Sequence, residues 1–359
     1  MSADRPTNPF PPDPTLLDTL ERLLGDHCSH EAVQTAEDDG WAPAIWEPLA
    51  AMGAPWVGVP VEFGGSGGTW ADALAVLRLC GKYAAPVPVA ETGILGGWLL
   101  GSAGLALPEG PVTVVPNLPG DTLRLEGGRL QGTAQRVPWA GAAERIVALV
   151  DGQIVVADPA LARLDVVRNL AGEPRETVHF DGAAPIACVA APAGVDKATL
   201  RARGALSRAA LMTGALERVA AVTVDYANER NQFGKAIATF QAVAQHLVKL
   251  TAETQLVMMA LATTTAALSR GDAAYEIAAF KAIAGEGASV VTARAHQSHG
   301  AIGMTQEYVL HQLTRRLWSW REEYGSTAFW RAEVGRIAAA TGAVGVWRLV
   351  TEGSVALAR

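Results

Sequence analysis

Arg230, Gln232 and Phe233 stand together immediately before Gly234. A guanidinium fork matches paired phosphate oxygens, and an aromatic ring offers a face for stacking a flat heterocycle. The trio therefore has the parts to hold a nucleotide-like group. The competing reading is structural: a solvated arginine at a helix end, with Phe233 plugging a core. A second group able to do chemistry is Glu322-Glu323-Tyr324. A carboxylate there could act as a general base, whereas the phenol, with a pKa near 10, is a weak base at neutral pH. Two adjacent glutamates can equally be a solvated helix end. The glycine run Gly64-Gly-Ser-Gly-Gly68 lacks the Lys-Ser/Thr ending and the preceding strand of a phosphate loop; a tight inter-helix turn is expected instead.

Positioning these residues requires elements that the periodicity supplies. Leu16, Leu17, Leu20, Leu23 and Leu24 recur at helical spacing, and Ile45, Leu49 and Met52 continue it. Trp70–Leu79 and Glu91–Leu100 read as further helices around Pro86 and Pro88. From Pro111 the texture changes to short β-branched runs, Val112–Val115, Thr122–Leu125, Arg129–Gly132, Ile146–Val150, Gln153–Ala157 and Thr177–Phe180. Glu126-Gly-Gly and Asp151-Gly separate them as turns. Helical spacing then returns from about Lys197, with a break at Gly234 and long Ala-rich helices over Thr239–Leu268 and Ala273–His296. The expected organisation is a helical segment over 1–108, a small β-barrel or sandwich over 109–196 and a helical bundle over 197–359.

Half of the 359 residues are hydrophobic, enough for two or three domains with substantial cores. The net charge of −7, with no basic run, argues against nucleic acid as a partner. Cys28, Cys80 and Cys188 are far apart and give no metal-site spacing, which suits a reducing cytoplasm. Met1 to Pro14 is Pro-rich without the apolar core of a signal peptide. No apolar span approaches the roughly 20 residues that cross a bilayer, so no membrane partner is expected.

The spacing Arg-x-Gln-Phe-Gly-x-x-Ile-x-x-Phe-Gln from Arg230 to Gln241 resembles the acyl-CoA dehydrogenase family, FAD enzymes that remove two hydrogens across Cα–Cβ of a thioester. Gln297-Ser-His-Gly-Ala-Ile-Gly-Met-Thr-Gln-Glu307, followed by Arg315-Arg316, is similar to a second family block. Trp46-x-x-Leu-Ala-Ala-Met-Gly with Gly58–Gly68 is similar to a third, so the resemblance covers most of the chain in the family's order. It implies an α+β fold: an N-terminal helical domain, a middle β-barrel and a C-terminal four-helix bundle. It also implies that Arg230 reaches the FAD pyrophosphate of a neighbouring subunit and that Phe233 lies beside the adenine half. Gln232 and Gln241, in the same motif, join the cofactor-contacting set. Gln297 and Gly300 would approach the adenosine–pyrophosphate, with Ala301 where a second glycine is usual. Taken by itself, Gln297–Gly300 is also what a polar helix end with its terminal glycine looks like.

Two departures follow. The middle-domain loop with Ser and Thr hydroxyls for the flavin is reduced to Val115–Asp121 and Val137–Ala142. There Trp139 could stack on a ring or pack on its own barrel. The family's base lies 24 residues after the first glycine of its pair, a count that lands here on Tyr324, with Glu323 one position off; one residue turns a helical side chain by about 100°. The alternative base position, near Gly204-Ala205, has no carboxylate. The resemblance thus points to the weaker subunit of a heteromeric acyl-CoA dehydrogenase, similar to the paired enzymes of steroid side-chain degradation. Such a subunit would pair in a heterotetramer with a homologous base-bearing chain, an acyl-CoA substrate and an electron-transfer acceptor. The alternatives are an autonomous enzyme with Glu323 as base, or a flavin-free structural paralogue.

Overall fold

The computed structural model describes residues 11–354, so most of the Pro-rich start lies outside the described residues. In chain order, helices α1 (Pro14–His27), α2 (His30–Asp39), α3 (Pro43–Ala51) and α4 (Trp70–Lys82) come first. A π-helix (Glu91–Gly97) then runs into α5 (Trp98–Ser102). Eight strands follow: β1 (Val112–Val114), β2 (Arg124–Glu126), β3 (Arg129–Pro138), β4 (Arg145–Val150), β5 (Gln153–Ala157), β6 (Arg163–Asp165), β7 (Arg175–Ala183) and β8 (Ala187–Ala190). The remainder is α6 (Lys197–Glu229), the two-residue strands β9 (Asn231–Gln232) and β10 (Lys235–Ala236), α7 (Gln241–Leu268), α8 (Ala274–His299), α9 (Leu310–Glu322), α10 (Thr327–Ala340) and α11 (Gly342–Glu352).

The chain divides into two compact units. One holds residues 20–68 and 83–207, including both four-stranded sheets, ordered β1-β4-β5-β8 and β2-β3-β7-β6. All their pairings are antiparallel except β1 with β4. Two connections follow from turn chemistry: Gly127-Gly128 between β2 and β3, and Asp151-Gly152 between β4 and β5, all with positive φ. Two successive left-handed residues make the type I′ turn whose twist matches a two-residue hairpin. Val115, Leu130, Ile146, Val155, Val178 and Phe180 form the core between the sheets. Trp139 is buried against the Arg175 guanidinium, 4.8 Å from its ring centre. Of its two anticipated roles it takes the one of packing on its own sheets. The segment Glu91–Leu100, anticipated as a plain helix, begins as a wholly buried π-helix.

The other unit holds the described residues up to Thr19 together with 69–82 and 208–354. Its helix α4 starts with a capping box: the Thr69 hydroxyl accepts from the Asp72 amide, and the Asp72 carboxylate accepts from the Thr69 amide (2.7 Å). Where α4 crosses α6, Gly81 faces the backbone of Leu211 and Gly214 faces the backbone of Arg78. A Cβ at either glycine would overlap a carbonyl oxygen, so the backbones touch directly. Arg78 and Glu217 close the crossing with an ion pair of 2.7 Å. Small residues on α6, such as Ala209, Ala210 and Ala215, are fully buried here.

Candidate functional site

The segment that carries Arg230 is a hairpin rather than a simple helix break. After α6 ends at Glu229, Asn231 pairs with Ala236 and Gln232 with Lys235. Phe233 (φ 52°) and Gly234 (φ 81°) make the turn. The Arg230 amide donates to the Tyr226 carbonyl (2.9 Å), and the Ile237 amide donates back to the Arg230 carbonyl (2.8 Å). Phe233 is 92% exposed, which removes the core-plug reading, and its ring meets Phe240 edge-on at 6.1 Å. Lys235 sits over the other aromatic, its Nζ 4.4 Å from the Phe240 ring centre. The hairpin packs on itself and presents Arg230, Gln232 and Phe233 to solvent.

Gln241 opens α7 and Gln297 lies in the last turn of α8, both exposed. Gly300 ends α8 at φ 63°, its amide donating to the His296 carbonyl. A Cβ on it would meet nothing within 4 Å, so glycine is required there by backbone conformation and the space beside it is open. Ala301, next to it, is also exposed.

Three rings hold the two helix ends together. Tyr226, one turn before Arg230, stacks on His299 with centroids 4.5 Å apart, and its hydroxyl points at the His299 carbonyl (3.4 Å). Tyr308 leans on His299 from another side at 5.0 Å, its hydroxyl reaching the Val222 carbonyl (3.5 Å). The start of α7 is tied in by Arg294, which donates to Nδ1 of His246 (3.2 Å). The ends of α6, α7 and α8 are thus gathered, and with them Arg230, Gln241, Gln297 and Gly300. Exposed guanidinium and amide donors, an exposed ring and an open glycine fit the phosphate and adenine parts of FAD.

Glu323 keeps different company. It follows α9, and its Oε2 accepts from Nε of Arg208 at 2.5 Å. Arg208 is 1% exposed, and its guanidinium lies over the Tyr324 ring at 5.4 Å. Lys281, also fully buried, donates to the Trp320 and Arg321 carbonyls (2.6 and 3.0 Å), capping α9. Burial pushes the Lys281 ammonium down to about 7, against the opposing attraction of Glu323. Tyr324, at the counted base position, is buried with φ 56°. Gly204 and Ala205 are buried small residues of α6. Sequence reasoning missed Tyr226, His299, Tyr308, Arg208 and Lys281. Lone charges in apolar helices mark the last two, and His299 lies inside the Gln297–Gly300 block itself.

Among the described residues, no cluster of His, Cys, Asp or Glu could hold a metal ion, and no helix is long and apolar enough to cross a membrane. Residues 199–339 match the acyl-CoA dehydrogenase C-terminal domain. Acyl-CoA dehydrogenase IpdE2 of Mycolicibacterium smegmatis is 31% identical over 316 residues, spanning 84% of this chain and 90% of that protein. Among solved structures, the ChsE4-ChsE5 complex from Mycobacterium tuberculosis has a chain that superposes with a TM-score of 0.82 at 20% identity, covering 90% of this chain and 96% of the other. The Tcur3481-Tcur3483 steroid ACAD variant gives a TM-score of 0.79 at 22% identity, covering 92% and 98%. These two likenesses show the mixed helix-and-sheet fold. By sequence, the chain belongs to the acyl-CoA dehydrogenase family, whose members bind FAD.

Proposed function

We propose that this chain is the non-base subunit of a heteromeric acyl-CoA dehydrogenase and completes the FAD site of a homologous catalytic partner in a cytoplasmic α2β2 assembly. The observation that carries this reading is the ion pair between Glu323 and the buried Arg208. A general base must offer a free lone pair within reach of the proton it takes. The carboxylate nearest the expected base position is instead committed to a guanidinium, and the counted position itself holds a phenol. Outward presentation of Arg230, Gln232, Phe233, Gln241, Gln297, Gly300 and Ala301 supports a surface that serves a cofactor held mainly by another chain.

In the assembled site Arg230 would pair with a pyrophosphate oxygen, Phe233 would lie beside the adenine, and Gln241, Gln297 and the Gly300 backbone would complete the polar contacts. When bound, FAD would supply the acceptor for the β-hydride of the acyl-CoA, with its electrons then leaving to an external electron-transfer acceptor. The α-proton goes to a carboxylate of the partner chain. A bulky, steroid-type acyl group is favoured because the Tcur3481-Tcur3483 relative in fold is a steroid enzyme by its description.

Flavin content tests this. The chain purified alone should hold little FAD, and the complex co-purified with its homologous partner should hold it tightly. Stoichiometric FAD in the isolated chain would establish the autonomous enzyme instead, and a flavin-free complex would establish the structural paralogue.

A further inference from the structure

Between the two candidate cofactor-contacting helix ends sits a side chain that neither end uses directly. His299 is 4% exposed. Its Nδ1 carries a hydrogen, because it donates to the Ala295 carbonyl at 2.9 Å. Its Nε2 is buried and has no hydrogen-bond partner among the described residues. The ring is covered on one face by Tyr226, at an interplanar angle of 21°, and flanked by Tyr308, tilted by 51°. Tyr226 belongs to the turn that leads into Arg230, and His299 is two residues beyond Gln297 and one before Gly300.

We propose that His299 is a positioning residue for the cofactor surface: clasped by Tyr226 and Tyr308, its neutral imidazole holds Gln297 and Gly300 in register with Arg230. The inference rests on the reading that these three residues contact FAD. A one-ångström slip between them would part donors that must meet one pyrophosphate, since hydrogen bonds weaken steeply beyond about 3.2 Å.

The neutral state has a physical cause. Burial holds His299 below the ordinary histidine value, the Ala295 hydrogen bond opposes this, and His296 in the same helix reinforces it. From α6, Arg218, Asp225 and Glu229 act on Tyr308, and Tyr226 faces the imidazole directly. His296, also lowered by burial, is hydrogen-bonded to the Thr314 hydroxyl at 3.1 Å. Because the folded value is lowered, the clasp is at full strength above about pH 6.5 and is lost as pH falls through the lowered value.

The test is FAD affinity of the assembled complex, read by flavin fluorescence between about pH 7.5 and pH 5.5. The unmodified complex should bind FAD more weakly toward the acid end, as protonation of His299 loosens the clasp. His299→Phe, which keeps an aromatic in the clasp but cannot titrate, should bind within about threefold of it at pH 7.5 and lose the slope. Tyr226→Leu should weaken FAD at every pH without unfolding the chain, and it carries the test should the phenylalanine variant misfold. A slope that persists in His299→Phe, or vanishes only in His296→Gln, overturns the proposal. Arg230→Ala separates the two levels. If it leaves FAD affinity unchanged, the contact reading itself fails. If it weakens FAD while the His299 and Tyr226 variants bind and titrate as the unmodified complex does, only the positioning role fails.

Discussion

Replacing Glu323 with glutamine separates a structural carboxylate from a catalytic one. The amide keeps the size and one acceptor oxygen of the side chain and removes its charge. Its partner Arg208 is 1% exposed, so the guanidinium cannot turn to solvent. Stripping one partner from a buried ion pair costs about 3–5 kcal/mol. Here the retained amide oxygen restores about 1 kcal/mol of hydrogen bonding. The Glu323 side chain is also 20% exposed, so part of its attraction was already screened. The expected loss is about 2–3 kcal/mol, which for a unit of this size lowers Tm by about 5–10 °C. Lys281, whose charge Glu323 supports, should be driven still further toward its neutral form. Turnover of the assembled complex should stay within about threefold, under about 0.7 kcal/mol of barrier. The two readouts are a thermal melt of the purified chain and steady-state oxidation of acyl-CoA by the complex. A Tm unchanged within a degree alongside a rate loss of orders of magnitude would refute the reasoning and make Glu323 the base.

Arg230→Ala should lower FAD affinity of the complex about tenfold or more, the worth of a charge-assisted bond of roughly 1.5–3 kcal/mol, with the circular dichroism of the helices unchanged. Lys281 should impose a rising stability curve: its folded value of about 7 lies below its unfolded 10.5, so the unfolded chain binds the extra proton between them. Chemical denaturation should therefore show stability climbing from about pH 7 to pH 9, and Lys281→Met should flatten that part of the climb. Gly214→Ala, favoured by about 1 kcal/mol in an open helix, should instead destabilise by about 3 kcal/mol, because the new methyl would strike the Arg78 carbonyl. A neutral or stabilised melt would mean that α4 and α6 part easily.

Much of the fold was legible because local rules and burial agree. The leucines of α1, the Gly-Gly and Asp-Gly turns and the alternating strands stand where periodicity and turn chemistry place them. Strand β6 escaped because it is three residues long and half exposed with two charged residues, and β8 because it is four residues long, half exposed and dominated by small residues with weak strand preference. The hairpin after α6 escaped for a different reason. Its left-handed first turn residue is Phe233, and an aromatic pays a steric penalty there that asparagine or aspartate would reduce. A turn of Phe-Gly therefore reads as a helix stop. The motif residues of the candidate site could be named from spacing, but their supports could not. Arg208 and Glu323 are 115 residues apart, and Tyr226 and His299 are 73 apart. Such pairings are decided by how helices pack, which no local window contains.

The direct backbone crossing of α4 and α6 has a consequence for how the bundle forms. Helix α4 comes from residues 70–82, while it meets α6, which starts at Lys197, around Leu211 and Gly214, and the whole two-sheet segment lies between them in the chain. The bundle is discontinuous, and closing so long a loop delays its last contacts. During synthesis, α4 must wait for α6 to leave the ribosome while the strands between them are already able to pair. A fragment cut to residues 199–339, the part matching the family's C-terminal domain, would lack α4. It would leave Gly81's counterpart on Leu211 bare, deprive Glu217 of Arg78 and expose the small-residue face of α6 to other chains. Such a fragment should aggregate rather than fold, and adding residues 69–82 as a separate peptide should restore part of its solubility.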